Sequence, residues 1–129
     1  MSKLNKESII GISALLVHAA NIDENYSDHE KELVKEFIRS YLKEENSDEI
    51  LKKAEEIEKN SNQLLSYTNI IKQNSFEIKK DIIEHLWKVL ISDNTVDQYE
   101  SNLMRRICGL IYFSDKECAE IKLKLLNSK

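Results

Sequence analysis

The chain of 129 residues has the length of one domain, and its composition, with two glycines and no proline, favours long helices over a sheet with tight turns. Its formal net charge is −4, and no basic stripe interleaved with aromatic residues points to nucleic acid. Because no apolar run approaches the roughly 20 residues of a membrane span and no signal-peptide pattern is present, we expect a cytoplasmic protein that is not an integral membrane protein.

Apolar residues recur with the helical period along the first half of the chain. This pattern predicts a first helix from about Lys3 to Ala20, a second from Ser27 to about Glu45, and a third that Ser47 caps. Within the first helix, Gly11 would allow the close approach of another helix. The residues predicted to face inward are Ile9, Ile12, Leu16, Ala19, Ala20, Leu33, Val34, Phe37, Ile38, Tyr41, Ile50, Leu51, Ala54 and Ile57.

Four further helices are predicted in the second half. A fourth segment includes Leu64, a fifth helix starts at Ser75, a sixth runs from Asp97 to about Tyr112, and a seventh starts at a capping box formed by Ser114 and Glu117. The residues predicted to face inward are Leu64, Leu65, Thr68, Ile71, Ile78, Ile82, Leu86, Trp87, Val89, Leu90, Leu103, Met104, Ile107, Leu110, Ile111, Cys118, Ile121, Leu125 and Leu126. The sequence therefore predicts an all-α fold, a compact bundle of about seven helices in a single domain spanning residues 1–129.

One acidic interhelical corner occurs twice. The aligned pairs are Asp23 with Asp93, Ser27 with Asp97, Glu30 with Glu100, Leu16 with Leu86, and Leu33 with Leu103. The chain is therefore predicted to contain an internal pseudo-twofold repeat of a helix–acidic corner–helix unit.

The acidic corners have a structural and a functional interpretation. Structurally, Asp97 with Glu100 forms a capping box that needs no ligand, as does the Ser27 corner, and the earlier aspartates would close local turns. Functionally, the carboxylates of the two corners would supply oxygen ligands to a divalent cation, calcium or magnesium. The candidate metal-binding residues are Asp93, Asp97, Glu100, Asp23 and Glu30. The second corner is not a calcium loop, because Met104 occupies the position of the bidentate glutamate.

Other side chains give no reaction signature. The three histidines form no pair at the spacing that would place two imidazoles on one helical face. Cys108 and Cys118 fall on separate predicted helices and are expected to be buried thiols of a reducing compartment. Without a glycine-rich phosphate loop or a nucleophile elbow, we expect no enzyme.

Three segments carry a resemblance to a known family: residues 15–20 before the first corner, residues 53–58, and residues 86–90 leading into the second corner. With these segments the chain resembles the tellurite-resistance protein B family, also called the TerB-like family. The resemblance implies an all-helical bacterial domain with acidic clusters, proposed metal-ion binding, and a link to tellurite or stress resistance in some members. Asn94 stands where the family usually has glycine, Ser27 where it has aspartate, and His18 and Lys88 where it has glutamate. The acidic clusters therefore contain fewer carboxylates here.

Two functions are therefore considered. The first is a non-catalytic domain that binds a divalent cation weakly at its acidic corners and is linked to tellurite or stress response. The alternative is an adaptor or co-chaperone-like module that binds an unidentified protein partner, with corners that only cap helices. A related domain attached to membrane-anchored co-chaperones is the family feature that implies this second function.

Overall fold

The computed structural model describes residues 6–21, 28–42, 47–60, 64–91 and 98–127, with side chains for all of them except 64–66 and 98–100. Within these residues the chain forms seven α-helices and no strand, which confirms the predicted all-α fold. The helices are α1 (Lys6–Asn21), α2 (Asp28–Tyr41), α3 (Ser47–Asn60), α4 (Leu64–Lys72), α5 (Phe76–Ile91), α6 (Gln98–Leu110) and α7 (Asp115–Asn127). No described helix is both long and apolar enough to span a membrane.

Two helix starts have the capping residue that the sequence predicts, whereas Ser47, also predicted as a cap, is the first residue of α3 and its hydroxyl accepts from Arg39. The backbone N–H of Ile78 donates to Ser75 Oγ at 3.3 Å, and the backbone N–H of Glu117 donates to Ser114 Oγ at 3.5 Å. Both bonds satisfy an amide that has no partner inside its own helix. The corresponding caps predicted at Ser27 and Asp97 lie outside the described residues, one position before the first residues of α2 and α6.

Helix α1 lies in the middle of the fold, in contact with α2, α3, α4 and α5. This position explains why α1 is apolar on nearly every side, since a helix surrounded by others must bury more than one stripe. Gly11 faces α4, where an added Cβ would lie 2.5 Å from Ile70 Cδ1. The predicted close approach at Gly11 is therefore confirmed.

Most of the predicted core is buried. The buried members are Ile9, Ile12, Leu16, Ala19, Ala20, Val34, Phe37, Ile38, Ile50, Leu51, Ala54, Thr68, Ile71, Ile82, Leu86, Trp87, Val89, Leu90, Leu103, Met104, Ile107, Ile111, Cys118 and Ile121. The members that pack half-buried against this core are Leu33, Tyr41, Ile78, Leu110 and Leu125. The predicted inward positions Leu64 and Leu65 lie outside the described side chains.

Two predictions of inward residues are wrong. Ile57 is 39% exposed and Leu126 is 37% exposed. On α3 the inward positions follow a four-residue spacing through Ile50 and Ala54, and the next position on that face is Glu58, so Ile57 is rotated towards solvent. On α7 the inward face passes through Ile121, and Leu126 lies beside that face in the last turn.

The two halves of the chain have matching helices. Helix α1 runs from residue 6 to 21 and α5 from residue 76 to 91, so both ends are separated by the same interval. The first residues of α2 and α6, 28 and 98, are separated by that interval as well. In each half the third helix packs on the first two: α3 on α1 and α2, and α7 on α5 and α6. The corners between the paired helices, 22–27 and 92–97, lie outside the described residues.

Helix α6 ends earlier than predicted because the chain reverses at Tyr112. Tyr112 has a φ of 60°, a left-handed conformation that glycine usually supplies at this place. The N–H of Phe113 donates to the Cys108 carbonyl at 2.8 Å, and the N–H of Tyr112 donates to the Gly109 carbonyl at 3.4 Å. These two bonds form a Schellman motif, which closes α6 at Leu110 and sends the chain directly into α7.

Candidate functional site

The structure describes one of the five candidate metal-binding side chains. Asp23, Asp93 and Asp97 lie outside the described residues, and Glu100 lies in the first turn of α6 with its side chain outside them. Glu30, the remaining candidate, is a described residue of α2. The structure therefore gives information about the first acidic corner through the helices before and after it, α1 and α2.

Glu30 is a buried carboxylate at the start of a helix. It is the third residue of α2, and its exposed fraction is 6%. A negative charge in the first turn is stabilised by the partial positive charge of the helix N-terminus. A carboxylate removed from water to this degree must also be held by hydrogen bonds. Glu30 therefore belongs to the interior edge of the first corner rather than to the solvated helix surface.

A second carboxylate, Glu58 of α3, is held at the end of α1 that leads into the first corner. Asn21, the last residue of α1, donates from Nδ2 to Glu58 Oε1 at 3.1 Å. His18 Nδ1 lies 3.3 Å from Glu58 Oε2, with side-chain exposed fractions of 24% for His18 and 15% for Glu58. The contact is a hydrogen bond with a neutral imidazole that carries its proton on Nδ1, and an ion pair when the imidazole is protonated. Glu58 thus ties the end of α3 to the end of α1.

Glu58 is a residue that the sequence analysis did not include among the candidate site residues. Its signal was available: it falls four residues after Ala54, on the inward face of α3 that begins at Ile50. A carboxylate in the register of a buried stripe must have a specific partner. Each oxygen of Glu58 already contacts a protein donor or a histidine, and each retains a further lone pair. The cluster of His18, Asn21 and Glu58 therefore first braces the corner and leaves limited capacity for a ligand.

A second polar cluster connects α2 with α5. Tyr41 Oη donates to Asp81 Oδ2 at 2.6 Å, and His85 Nδ1 donates to the Asp81 backbone carbonyl at 2.8 Å. Burial, together with the hydrogen bond to the Asp81 carboxylate, raises the pKa of Tyr41 above its usual range. The phenol consequently stays neutral and serves as a tie between helices. His85 packs edge-on against Phe37 at 5.1 Å between ring centroids, so both histidines with described contacts lie at the edge of the core.

The described side chains include no group of three or more His, Cys, Asp or Glu residues arranged to hold a metal ion. His29, in the first turn of α2, is exposed. Cys108 and Cys118 are buried free thiols, as predicted.

A comparison with protein-family models matches residues 10–123 to the family described as "Tellurite resistance protein TerB". Neither the curated proteins nor the solved structures contain a match to this chain.

Proposed function

Because the chain belongs to the tellurite resistance protein TerB family, we propose that it is a non-catalytic bacterial domain that binds a divalent cation weakly at its acidic corners. The cation would be calcium or magnesium, because the donors are carboxylate oxygens. The proposal also places the protein in the cytoplasm, in a response to tellurite or related stress. The two buried free thiols are in keeping with a reducing compartment.

The observation that carries the proposal is the burial of Glu30 beside the first corner. Its carboxylate faces the interior in the first turn of α2, while Glu58 of α3 is held at Asn21, the last residue of α1. Asp23 follows two positions after Asn21, so carboxylates of α2 and α3 are found near both ends of a segment that carries a third. Oxygen-rich surroundings of this kind attract hard cations, and affinity increases with the number of charged ligands.

The second corner is proposed to bind more tightly than the first. It carries Asp93, Asp97 and Glu100, and Asn94 adds a neutral oxygen, whereas the first corner has Ser27 in place of a carboxylate. Capping competes with ligation, since an oxygen that accepts from backbone N–H groups is a poorer metal ligand. We therefore expect dissociation constants on the order of 10⁻⁴ to 10⁻³ M, the range of weak extracellular-type oxygen sites.

A second function, that of an adaptor for an unidentified protein partner, is favoured by a different observation. At Ser75 and Ser114, two helix starts where the sequence predicted a cap, the side chain does bond to the helix backbone. Ser27 and Asp97 stand at the same position relative to α2 and α6. If they do nothing else, the corners are structural and the function lies in a protein contact.

The two functions are separated by titrating the ¹⁵N-labelled protein with calcium and with magnesium while backbone amide shifts are recorded. The cation-binding function predicts saturable shifts centred on residues 93–100, with weaker ones on residues 23–30. Shifts that spread evenly over residues 44–45 and 55–58 and do not saturate would mean diffuse screening of an acidic surface, and the adaptor function would then lead.

A pair of charge-matched variants sharpens this titration. Asp93→Asn removes a proposed ligand, and Glu56→Gln removes one negative charge from an exposed position of α3. We expect the first variant to weaken calcium binding by about tenfold, because ligand charge sets affinity at such sites, and the second to leave it nearly unchanged. Equal losses in both would show that net charge alone attracts the cation and would contradict a defined site.

A further inference from the structure

The sulfur of Cys118 accepts a hydrogen bond from the indole of a buried tryptophan. Trp87 Nε1 lies 3.3 Å from Cys118 Sγ, and Trp87 is 3% exposed. An indole N–H only donates, so this contact favours negative charge on the sulfur. Cys118 also follows the first three residues of α7, close to the helix N-terminus, where a thiolate is stabilised.

The second cysteine interacts with the first. Cys108 lies on α6, is fully buried, and its thiol is a hydrogen-bond partner of the Cys118 thiol. This hydrogen bond, helped by the Trp87 indole, lowers the pKa of Cys118 against the opposing effect of burial. The same contact and burial raise the pKa of Cys108. One thiol of the pair is therefore prepared to ionise, while its neighbour keeps its proton.

A surface depression gives solutes access to Cys118. It has a volume of about 360 Å³, and its lining includes Trp87, Ser101, Arg105, Cys118 and Lys122. Cys118 is 6% exposed, whereas Cys108 is completely buried, so a solute reaches Cys118 first. The Lys122 ammonium lies 5.3 Å from the Trp87 ring centroid and favours the thiolate.

One charge opposes this arrangement. Asp115, which also lines the depression, disfavours negative charge on Cys118. Lys122 from α7 acts in the opposite direction to Asp115 but more weakly, and Arg105 from α6 also lines the depression. The susceptibility of a thiol to peroxide follows its thiolate character and its access to solvent, and reactive thiols often have a second thiol beside them. Cys118 is largely buried, so its access to solvent is through the depression that it lines.

We propose that Cys118 and Cys108 form a peroxide-reactive dithiol, in which Cys118 attacks the oxidant from the depression and Cys108 resolves the product as a disulfide. In the first step the Cys118 thiolate attacks one oxygen of a hydroperoxide; the S–O bond forms, the O–O bond breaks, and the other oxygen leaves as alkoxide or hydroxide and takes up a proton. In the second step the Cys108 sulfur loses its proton and attacks Cys118 Sγ; the S–S bond forms and the hydroxyl group leaves as water. The two thiols are oxidised by two electrons, and one hydroperoxide is reduced to an alcohol or water.

This site does not depend on cation binding at the corners. The competing interpretation is that the two cysteines are inert buried thiols, which native packing would protect from oxidation. Under the proposal the native protein is oxidised faster than the unfolded protein, and under the competing interpretation the unfolded protein is oxidised faster.

The test treats the reduced full-length protein with hydrogen peroxide, in buffer and in urea, and follows intact mass and free thiols. We expect a mass loss of about 2 Da, the two hydrogens of a disulfide, and faster oxidation of the native protein than of the unfolded one. Thiols that survive in the native protein but are oxidised in urea would overturn the proposal, and this comparison requires no variant.

Three variants assign the roles. Cys108→Ser leaves Cys118 as a sulfenic acid that a dimedone probe captures, whereas Cys118→Ser leaves Cys108 unlabelled. Trp87→Phe keeps the aromatic packing and removes the N–H donor to Cys118. The fraction of Cys118 present as thiolate should fall about tenfold, while each remaining thiolate becomes more nucleophilic, so we expect oxidation to slow by about threefold. Circular dichroism checks that each variant folds. Equal labelling of Cys108 in the Cys118→Ser protein would assign the attack to the wrong sulfur and overturn the mechanism.

Discussion

The two glycines provide a matched test of the packing between α1 and α4. Both lie inside helices, where alanine is more favourable than glycine by about 1 kcal/mol. Their surroundings differ: an added Cβ lies 2.5 Å from Ile70 Cδ1 at Gly11, and it meets nothing within 4 Å at Gly109. The substitutions Gly11→Ala and Gly109→Ala should therefore change the free energy of unfolding in opposite directions.

The expected magnitudes follow from these contacts. Gly109→Ala should raise the free energy of unfolding by about 1 kcal/mol, through helix propensity and a restricted unfolded chain. Gly11→Ala has the same gain but forces Ile70 to move within a packed core, which costs about 1–3 kcal/mol. Because Cδ1 is the end of a flexible side chain, we expect Gly11→Ala to lower the free energy of unfolding by about 1 kcal/mol net.

A third substitution isolates the responsible atom. Ile70→Val deletes Cδ1 and alone should cost about 1 kcal/mol. In the double variant with Gly11→Ala the added methyl fills the space that Cδ1 leaves, so the two losses should not add, with a favourable coupling of about 1 kcal/mol. Urea denaturation followed by circular dichroism measures all four proteins. If Gly11→Ala stabilised the protein as Gly109→Ala does, or if the two losses added fully, the close approach at Gly11 would be refuted.

Two further predictions concern a tie and a cap. Tyr41→Phe should lower the free energy of unfolding by about 1 kcal/mol near pH 8, through loss of the 2.6 Å hydrogen bond to Asp81. The folded pKa of Tyr41 is raised above the unfolded value of about 10, so the stability that this tyrosine contributes is complete below that pH and declines above it. Urea denaturation at pH 8 and above pH 10 should therefore show that the difference in free energy of unfolding between wild type and Tyr41→Phe becomes smaller at the higher pH. A difference that stays constant would contradict the raised pKa. Asp97→Ala should lower the free energy of unfolding by about 0.5–2 kcal/mol through loss of a helix cap. Asp97→Ser should lower it much less, because serine side chains already cap helices at Ser75 and Ser114. Thermal unfolding compares the two variants, and equal destabilisation would mean that the charge of the carboxylate matters.

The helices were predictable because their signals are local. A cap such as Ser75 and an apolar stripe with the helical period lie within one element, so neither requires knowledge of the tertiary structure. The family resemblance was equally local, carried by the segments that flank the corners, and the family match over residues 10–123 confirms it. On α3 the prediction was wrong by one position: Ile57 was predicted to face inward, but it is exposed, and the next residue, Glu58, faces inward instead.

The polar contacts were not predictable, because their partners are distant in sequence. Glu58 lies 40 positions from His18 and 37 from Asn21, so the cluster exists only after α1 and α3 have packed. The contact between Cys108 and Cys118 depends on the reversal at Tyr112, where the chain uses a left-handed tyrosine. Sequence rules expect glycine or asparagine at such a position, so the capping box at Ser114 predicted where the chain breaks but nothing predicted the left-handed turn at Tyr112.

The internal repeat fixes where the helices run, while the chemistry of each half depends on single substitutions along them. His18 and Asn21 of α1 correspond to Lys88 and Ile91 of α5, and Ile91 is buried and apolar, so α5 has no side-chain amide at the position from which Asn21 donates to Glu58. Conversely, Trp87 of α5 corresponds in α1 to a valine, which has no N–H to donate to a sulfur. The brace therefore belongs to the first half and the thiol pair to the second. These differences reach into the core, because Trp87, Ile91 and the valine that matches Trp87 are all buried, so each half packs its own interior around the side chains that are peculiar to it.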